Sequence, residues 1–307
     1  MKFKVLKYTY ITLVGLILIL AIVTASDQIS DLHISTVYIW PLCVAILFAF
    51  LNIFFSIKRF QSLLPGRTSF TQAARPHLAG FLANYGALVP GLGSGVKYGL
   101  LRAQNTSTKN AAKVLGVEIV LDLLLCLLIS LALAPIFFGQ YFWELINQYT
   151  LHFDNSLILV VLFLTVLVFI FVLKSHFISV LVSSIRSVFN KEGLIISAFF
   201  TLLMWLCFAG TLEFLSKSFH QVSESIYSAA LLTVSSSYLA GLLSLIPSGL
   251  GVRELSGAYI IANTSNSYSV GDAVLVMVVL RVFTVIAGAV VLTIITLATV
   301  KTTPNNK

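Results

Sequence analysis

Charged residues are scarce in this sequence. Among 307 residues there are 19 lysines and arginines and 11 aspartates and glutamates, so 10% of the chain is charged while 58% is hydrophobic. Soluble domains carry about 25% charged residues. The shortage excludes an ordinary soluble domain and indicates a polytopic membrane protein. The formal net charge of +8 fits cytoplasmic loops that face anionic lipid headgroups, and we expect no nucleic-acid partner.

Cysteine is also rare, and the usual signatures of enzymes are missing. The three cysteines stand singly in apolar runs, and the five histidines have no metal-ligand spacing. The glycine-rich stretch 91–95 follows no strand and lacks the Gly-Lys-Ser/Thr ending of a phosphate-binding loop. We therefore expect no metal, no cofactor and no catalytic residue, and an enzymatic function has little support.

What the sequence does contain is a series of long apolar runs. A membrane-spanning helix needs about 20 apolar residues. On this basis we predict full spans at residues 8–25, 36–57, 114–138, 156–173, 193–215 and 272–299. The first run follows a lysine-rich start, and we interpret it as a retained span rather than a cleaved signal peptide. The predicted fold is all-α, and residues 1–307 are expected to form a single integral membrane domain.

Two further membrane segments, at about 77–103 and 226–262, are interrupted. Each has an apolar approach, a proline, a glycine cluster, and then Gly-Val-Lys at 95–97 or Gly-Val-Arg at 251–253. Proline removes a backbone donor and glycine allows a positive φ, so both break a helix. We expect Gly249 and Gly251 to need a positive φ or a close backbone approach. Unsatisfied backbone groups in lipid cost several kcal/mol each, so such breaks occur inside protein or beside a wet cavity. Paired breaks in two halves of a chain indicate a transporter binding site.

The distribution of basic residues predicts the orientation. The loops at 58–76, 104–113 and 174–192 and both chain termini are basic, whereas the loops at 26–35, 139–155 and 263–271 contain no lysine or arginine. Basic loops stay in the cytoplasm. We therefore predict a protein of the cytoplasmic (inner) membrane with cytoplasmic N- and C-termini. The interrupted segments then become re-entrant helical hairpins that enter from opposite sides, an inverted-repeat arrangement whose turns meet near the midplane.

Ionisable residues inside apolar runs are the candidates for a binding site, because buried charges in membranes are costly and usually face the bundle interior. Helix N-termini and glycine turns also present N–H groups that favour anions. We predict that substrate is bound by the polar, charged and turn residues of both breaks and the last span: Asn84, Gly91, Gly93, Lys97, Gly249, Gly251, Arg253, Glu254 and Arg281.

Two acidic residues are given a different role. Glu118 and Asp122 lie four residues apart and so share one face of the third span. We expect them to balance charge or to carry a coupling proton. The structural alternative left open is that the buried charges only pair with one another, for example Glu118 with Arg281, and that the glycines only allow close helix packing.

Three groups of residues resemble a known family. Residues 247–254, Pro-Ser-Gly-Leu-Gly-Val-Arg-Glu, are similar to its Pro-x-Gly-Leu-Gly-x-Arg-Glu signature, and Leu280-Arg281 to an arginine in its last span. Asn84 with Pro90-Gly91, followed by Glu118 to Asp122-Leu123, is similar to its first-half pattern. The family is the flippase-like membrane domain shared by lysylphosphatidylglycerol synthases and stand-alone bacterial and archaeal membrane proteins. The resemblance covers about residues 40–300.

The chain also departs from the family pattern. Ser94-Gly95 stands where the family commonly has an acid after the first Pro-Gly, and Ile119 stands where an arginine usually follows the glutamate. We expect no soluble aminoacyl-transferase domain in this chain. The resemblance implies lipid translocation, or support of envelope lipid or polysaccharide export, and not lipid aminoacylation.

The leading hypothesis is therefore a flippase-like transporter of an anionic phospholipid or a polyprenyl-phosphate-linked lipid. One alternative is a non-transporting accessory subunit of an envelope lipid or polysaccharide synthesis complex. The other is an intramembrane glycosyl- or acyl-transferase, which would need an acidic base in a wet cavity. The protein partners left open are another copy of the chain and such a synthesis complex.

Overall fold

The computed structural model describes residues 37–66, 68–86, 91–150, 191–219, 226–244, 247–264 and 268–300. These residues form eight α-helices and one short 3₁₀ turn, with no strand in the described part of the chain. The helices are α1 (Ile39–Leu63), α2 (Phe70–Gly86), α3 (Leu92–Ala103), α4 (Thr108–Thr150), α5 (Lys191–Phe219), α6 (Tyr227–Leu243), α7 (Val252–Thr264) and α8 (Val270–Val300), and the turn is Pro247–Gly249. The all-α prediction is confirmed for these residues.

Four of these helices are long and apolar enough to cross a membrane: Ile39–Leu63, Thr108–Gly139, Glu192–Phe219 and Val270–Ala298. They coincide with four of the predicted spans. The other two predicted spans, 8–25 and 156–173, lie outside the described residues. Large apolar side chains such as Trp40, Leu128 and Leu297 are exposed on the outer surface, as expected of helices that face lipid.

Several helices extend beyond the predicted segments. Helix α4 continues to Thr150, beyond the expected span end at 138, and α1 continues to Leu63, beyond 57. Apolar content sets how much of a helix lies in lipid, but it does not end the helix. The consequence for the site is direct, because Arg59, expected in a loop, lies on α1 and is 3% exposed.

The buried apolar side chains form two clusters. One joins the first half of the chain with the end of α8 and includes Ile53, Phe60, Leu78 and Val114. The other joins α5, α6, α7 and the first part of α8 and includes Leu212, among others. Helix α8 contributes to both clusters, so it links the two halves. The two interrupted segments, α2 with α3 and α6 with α7, lie where these clusters adjoin.

Candidate functional site

The glycine turns have the backbone conformation that the sequence predicts. Gly91, Gly249 and Gly251 have φ of +76°, +63° and +78°, and Ser248 has φ of +55°. Residues that carry a side chain rarely adopt a positive φ, whereas glycine does so without strain. The prediction for Gly249 and Gly251 is confirmed. Residues 87–90, which include Pro90, lie outside the described residues.

Each interrupted segment also brings two helices into very close contact around a cation. The Lys97 stem on α3 lies directly over Gly80 of α2, where any Cβ would overlap it. In the second segment, a Cβ on Gly241 of α6 would stand 2.5 Å from Cγ of Arg253. The two halves therefore pack in the same way. In each, a glycine on the first helix of the interrupted segment leaves space for the aliphatic part of the lysine or arginine side chain on the second helix.

The two interrupted segments touch each other. The Ser248 hydroxyl, in the turn before α7, donates a hydrogen bond to the backbone carbonyl of Asn84 near the end of α2. That carbonyl belongs to the last turn of α2, where carbonyls lack partners within the helix. The contact brings the two breaks, 164 residues apart in the chain, to one place.

A cavity of about 610 Å³ lies at this meeting point. Ligand sites typically have volumes of about 300–1,000 Å³. Its wall takes residues from both segments and from α1, α4, α5 and α8. The lining includes most of the predicted site residues: Asn84, Gly91, Gly93, Lys97, Glu118, Asp122, Gly249 and Arg253. Gly251, Glu254 and Arg281 are not in its wall, although Glu254 and Arg281 line a small adjoining pocket that shares Arg253.

One side of the cavity carries a closed network of ion pairs. Arg59 Nη2 lies 2.8 Å from Glu118 Oε1, and Arg59 Nη1 pairs with Asp122 Oδ1. The Lys97 ammonium lies 2.8 Å from both oxygens of Glu118. Trp205 adds a 3.1 Å hydrogen bond from its indole N–H to Asp122. Two cations thus face two carboxylates, and the network is formally neutral.

Buried histidine extends this network. His77 Nε2 is 3.1 Å from the Ser56 hydroxyl, and its Nδ1 is 3.3 Å from Glu118 Oε1. Glu118 is therefore approached by Arg59, His77 and Lys97, which lie on α1, α2 and α3. A carboxylate that joins four helices in this way holds the first half together around the cavity wall.

Arg253 is different from the other cations. Among the described residues its guanidinium has neither an ion pair nor a hydrogen bond, and its Nε is buried without a partner. The group lies over the ring of Tyr238, 4.7 Å from the ring centre. A ring face attracts a cation but does not neutralise its charge. Arg253 therefore offers the cavity a positive charge whose hydrogen-bond donors are not used.

Arg281 and Glu254 form a second ion pair behind Arg253. Arg281 Nη1 contacts Glu254 Oε1, while Glu254 Oε2 accepts a 2.7 Å hydrogen bond from the Gly251 N–H at the start of α7. This return contact from the third helical residue is half of a capping box. The Glu118–Arg281 pair, named above as an example of the structural alternative, does not form: in the described part of the chain Glu118 binds Arg59 and Lys97, and Arg281 binds Glu254.

The cavity residues that the sequence-based site omitted include Arg59, His77, Trp205 and Tyr238. A signal for Arg59 was present, because Asn52, Ser56 and Arg59 recur at helical spacing within an apolar run. No comparable pattern marks Trp205 or Tyr238, since aromatic residues in apolar runs usually belong to a core.

These observations define an integral membrane protein in which two interrupted helix pairs enclose a charged cavity. The sequence matches the family model described as the lysylphosphatidylglycerol synthase TM region over residues 9–291. The chain therefore belongs to the lysylphosphatidylglycerol synthase transmembrane-region family, as its motifs indicated. None of the curated proteins has a sequence that matches this chain.

Proposed function

We propose that the protein is a flippase-like transporter that moves an anionic lipid, or a lipid-linked glycan, across the cytoplasmic membrane. The observation that carries the proposal is Arg253, a cation in the wall of a cavity of about 610 Å³ that has no counter-ion among the described residues. Keeping an unpaired charge in a membrane is costly. A bound anionic headgroup would supply the missing counter-ion, while the lipid tails stay among the exposed apolar helix surfaces.

The surrounding residues have supporting roles in this proposal. Glu254 and Arg281 fix the start of α7 and so position Arg253, rather than bind the headgroup themselves. Lys97 and the two acids of the neutral network, Glu118 and Asp122, balance charge, and an exchange of partners among them would couple substrate passage to a proton. The predicted opposed entry of the two interrupted segments would let the cavity face either side in turn.

Transport is tested by reconstitution. The protein would be placed in vesicles that contain a headgroup-labelled fluorescent phosphatidylglycerol, and an impermeant reductant would bleach label in the outer leaflet. Protein-free vesicles should lose about half of the signal, and active vesicles more. Arg253→Gln should reduce the additional loss strongly, because every cation that then remains in the described cavity wall is already engaged in an ion pair.

Arg102→Gln is the matched control. Arg102 is exposed at the end of α3, and its guanidinium donates only to the Thr106 carbonyl. The Arg102→Gln substitution removes one positive charge from the protein, as Arg253→Gln does, but leaves the charge of the cavity unchanged. Equal activity of Arg253→Gln and wild type would disprove the role of Arg253. Selective lipid binding without any translocation would instead favour the accessory-subunit alternative.

A further inference from the structure

The charges that line the cavity do not cancel. Among the described residues, its wall contains three cations, Arg59, Lys97 and Arg253, and two carboxylates, Glu118 and Asp122. The carboxylates are both engaged by Arg59 and Lys97. With histidine neutral, the cavity therefore carries a formal excess of one positive charge, and that charge resides on Arg253.

A single excess charge distinguishes between classes of phosphate. A phosphate diester carries one negative charge, whereas a phosphate monoester carries about −1.5 to −2 at pH 7. In a partly desolvated site an uncompensated charge is expensive. A bound diester would leave the cavity neutral, whereas a monoester or a diphosphate would leave it negatively charged. A zwitterionic headgroup would add a cation, but both carboxylates of the described wall are already paired.

The shape of the Arg253 environment favours the same ligand. Tyr238 covers one face of the guanidinium, at 4.7 Å from ring centre to guanidinium carbon, and the N–H donors that an oxyanion needs lie at its edge. The edge of a guanidinium presents paired N–H donors that match two oxygens of a phosphate. The Gly241 and Gly249 backbones lie against the arginine stem, so the group has little freedom to turn away.

We infer that the cavity selects a monoanionic phosphate diester headgroup, which docks edge-on to Arg253; this inference rests on the proposed transport of an anionic lipid. Two sources share this chemistry, a diacylglycerol phosphodiester such as phosphatidylglycerol and a polyprenyl monophosphate sugar. Lipids that end in a phosphate monoester or contain a diphosphate are excluded by charge.

Binding to the purified full chain in detergent tests the inference, with native mass spectrometry as the readout. The probes are short-chain phosphatidylglycerol, phosphatidate and phosphatidylcholine, and a polyprenyl phosphosugar with its diphosphate counterpart. We expect one or both diesters to bind about tenfold or more tightly than the monoester, the diphosphate and the zwitterion. The better of the two diesters identifies the source. Equal or tighter binding of phosphatidate or the diphosphate would overturn the inference.

Variants make the test specific to charge. Arg253→Gln should weaken diester binding about 10- to 100-fold. Arg253→Lys should weaken it less, because lysine keeps the positive charge but lacks the paired N–H donors of the guanidinium. Ser94→Lys adds a cation to the cavity wall without breaking an existing ion pair, so it should move the preference towards phosphatidate. Diester binding that is unchanged in Arg253→Gln, or an unchanged preference in well-folded Ser94→Lys, would contradict the charge argument.

Failure of the inference and failure of transport give different results. Diester-selective binding without additional bleaching of the inner-leaflet label would support the binding site but disprove the transport function. Translocation that is equally fast for phosphatidylglycerol, phosphatidate and phosphatidylcholine would retain transport and remove the monoanion selectivity. Thermal unfolding of each variant beside Arg102→Gln separates loss of binding from loss of fold.

Discussion

The pair formed by Arg281 and Glu254 permits a quantitative test of how the second interrupted segment is held. The side chains are 15% and 11% exposed, so each is largely withdrawn from water. Removing one member of a buried ion pair leaves the other uncompensated, at a cost of about 3–5 kcal/mol. We therefore expect Arg281→Gln and Glu254→Gln each to lower the free energy of unfolding by that order.

The double variant should be less destabilised than the sum of the two. Glutamine at 254 can still accept the hydrogen bond from the Gly251 N–H, so the cap of α7 is retained. With both charges removed, neither residue is left uncompensated. The coupling energy in the double-mutant cycle should then be several kcal/mol, larger than the roughly 0.5 kcal/mol within which independent sites add.

Equilibrium unfolding in mixed micelles, followed by circular dichroism, measures the cycle. Arg281 also lies 5.2 Å from the ring centre of Tyr85, but this contact is lost both in Arg281→Gln and in the double variant, so it cancels in the coupling energy. A coupling energy below about 0.5 kcal/mol would refute the proposed support of α7 by α8. High stability of Arg281→Gln alone would show that the arginine is not effectively buried.

Two further predictions concern Arg253 and the orientation. Gly241→Ala places a new Cβ 2.5 Å from the Arg253 side chain, so it should displace that side chain and weaken lipid binding about as much as Arg253→Gln does. Gly99→Ala is the control, because open space surrounds its Cβ, and it should leave lipid binding unchanged. Native mass spectrometry measures lipid binding in both variants. In a cysteine-free background, an impermeant thiol reagent added outside should label a cysteine placed at Asp31 but not one at Thr108; labelling at both Thr108 and Ser267 would disprove opposed entry of the two interrupted segments.

The sequence predicted the helices and the breaks well because both depend on local chemistry. Apolar runs identify α1, α4, α5 and α8 through their length alone. The turns at Gly249 and Gly251 follow from the conformational freedom of glycine. These properties need no knowledge of which helices are neighbours.

The ion pairs could not be predicted in the same way. Arg59 and Glu118 are 59 residues apart, and Glu254 and Arg281 are 27 apart, so their contacts depend on helix neighbours and rotations that periodicity does not specify. Arg59 was assigned to a loop because apolarity ended before the helix did. The Glu118–Arg281 pair that was left open as an alternative does not form, because Arg59 on α1 and Lys97 on α3 already pair with Glu118.

The hydrogen bond between the two breaks has a consequence for motion. Ser248 satisfies a carbonyl at the end of α2 that would otherwise lack a donor, and it does so across the cavity boundary. If the two segments separate, that carbonyl must find a water molecule, because an unsatisfied buried group costs about 1–3 kcal/mol. Separation of the two segments is therefore expected to require water at this carbonyl, so that opening of the cavity would be coupled to its hydration.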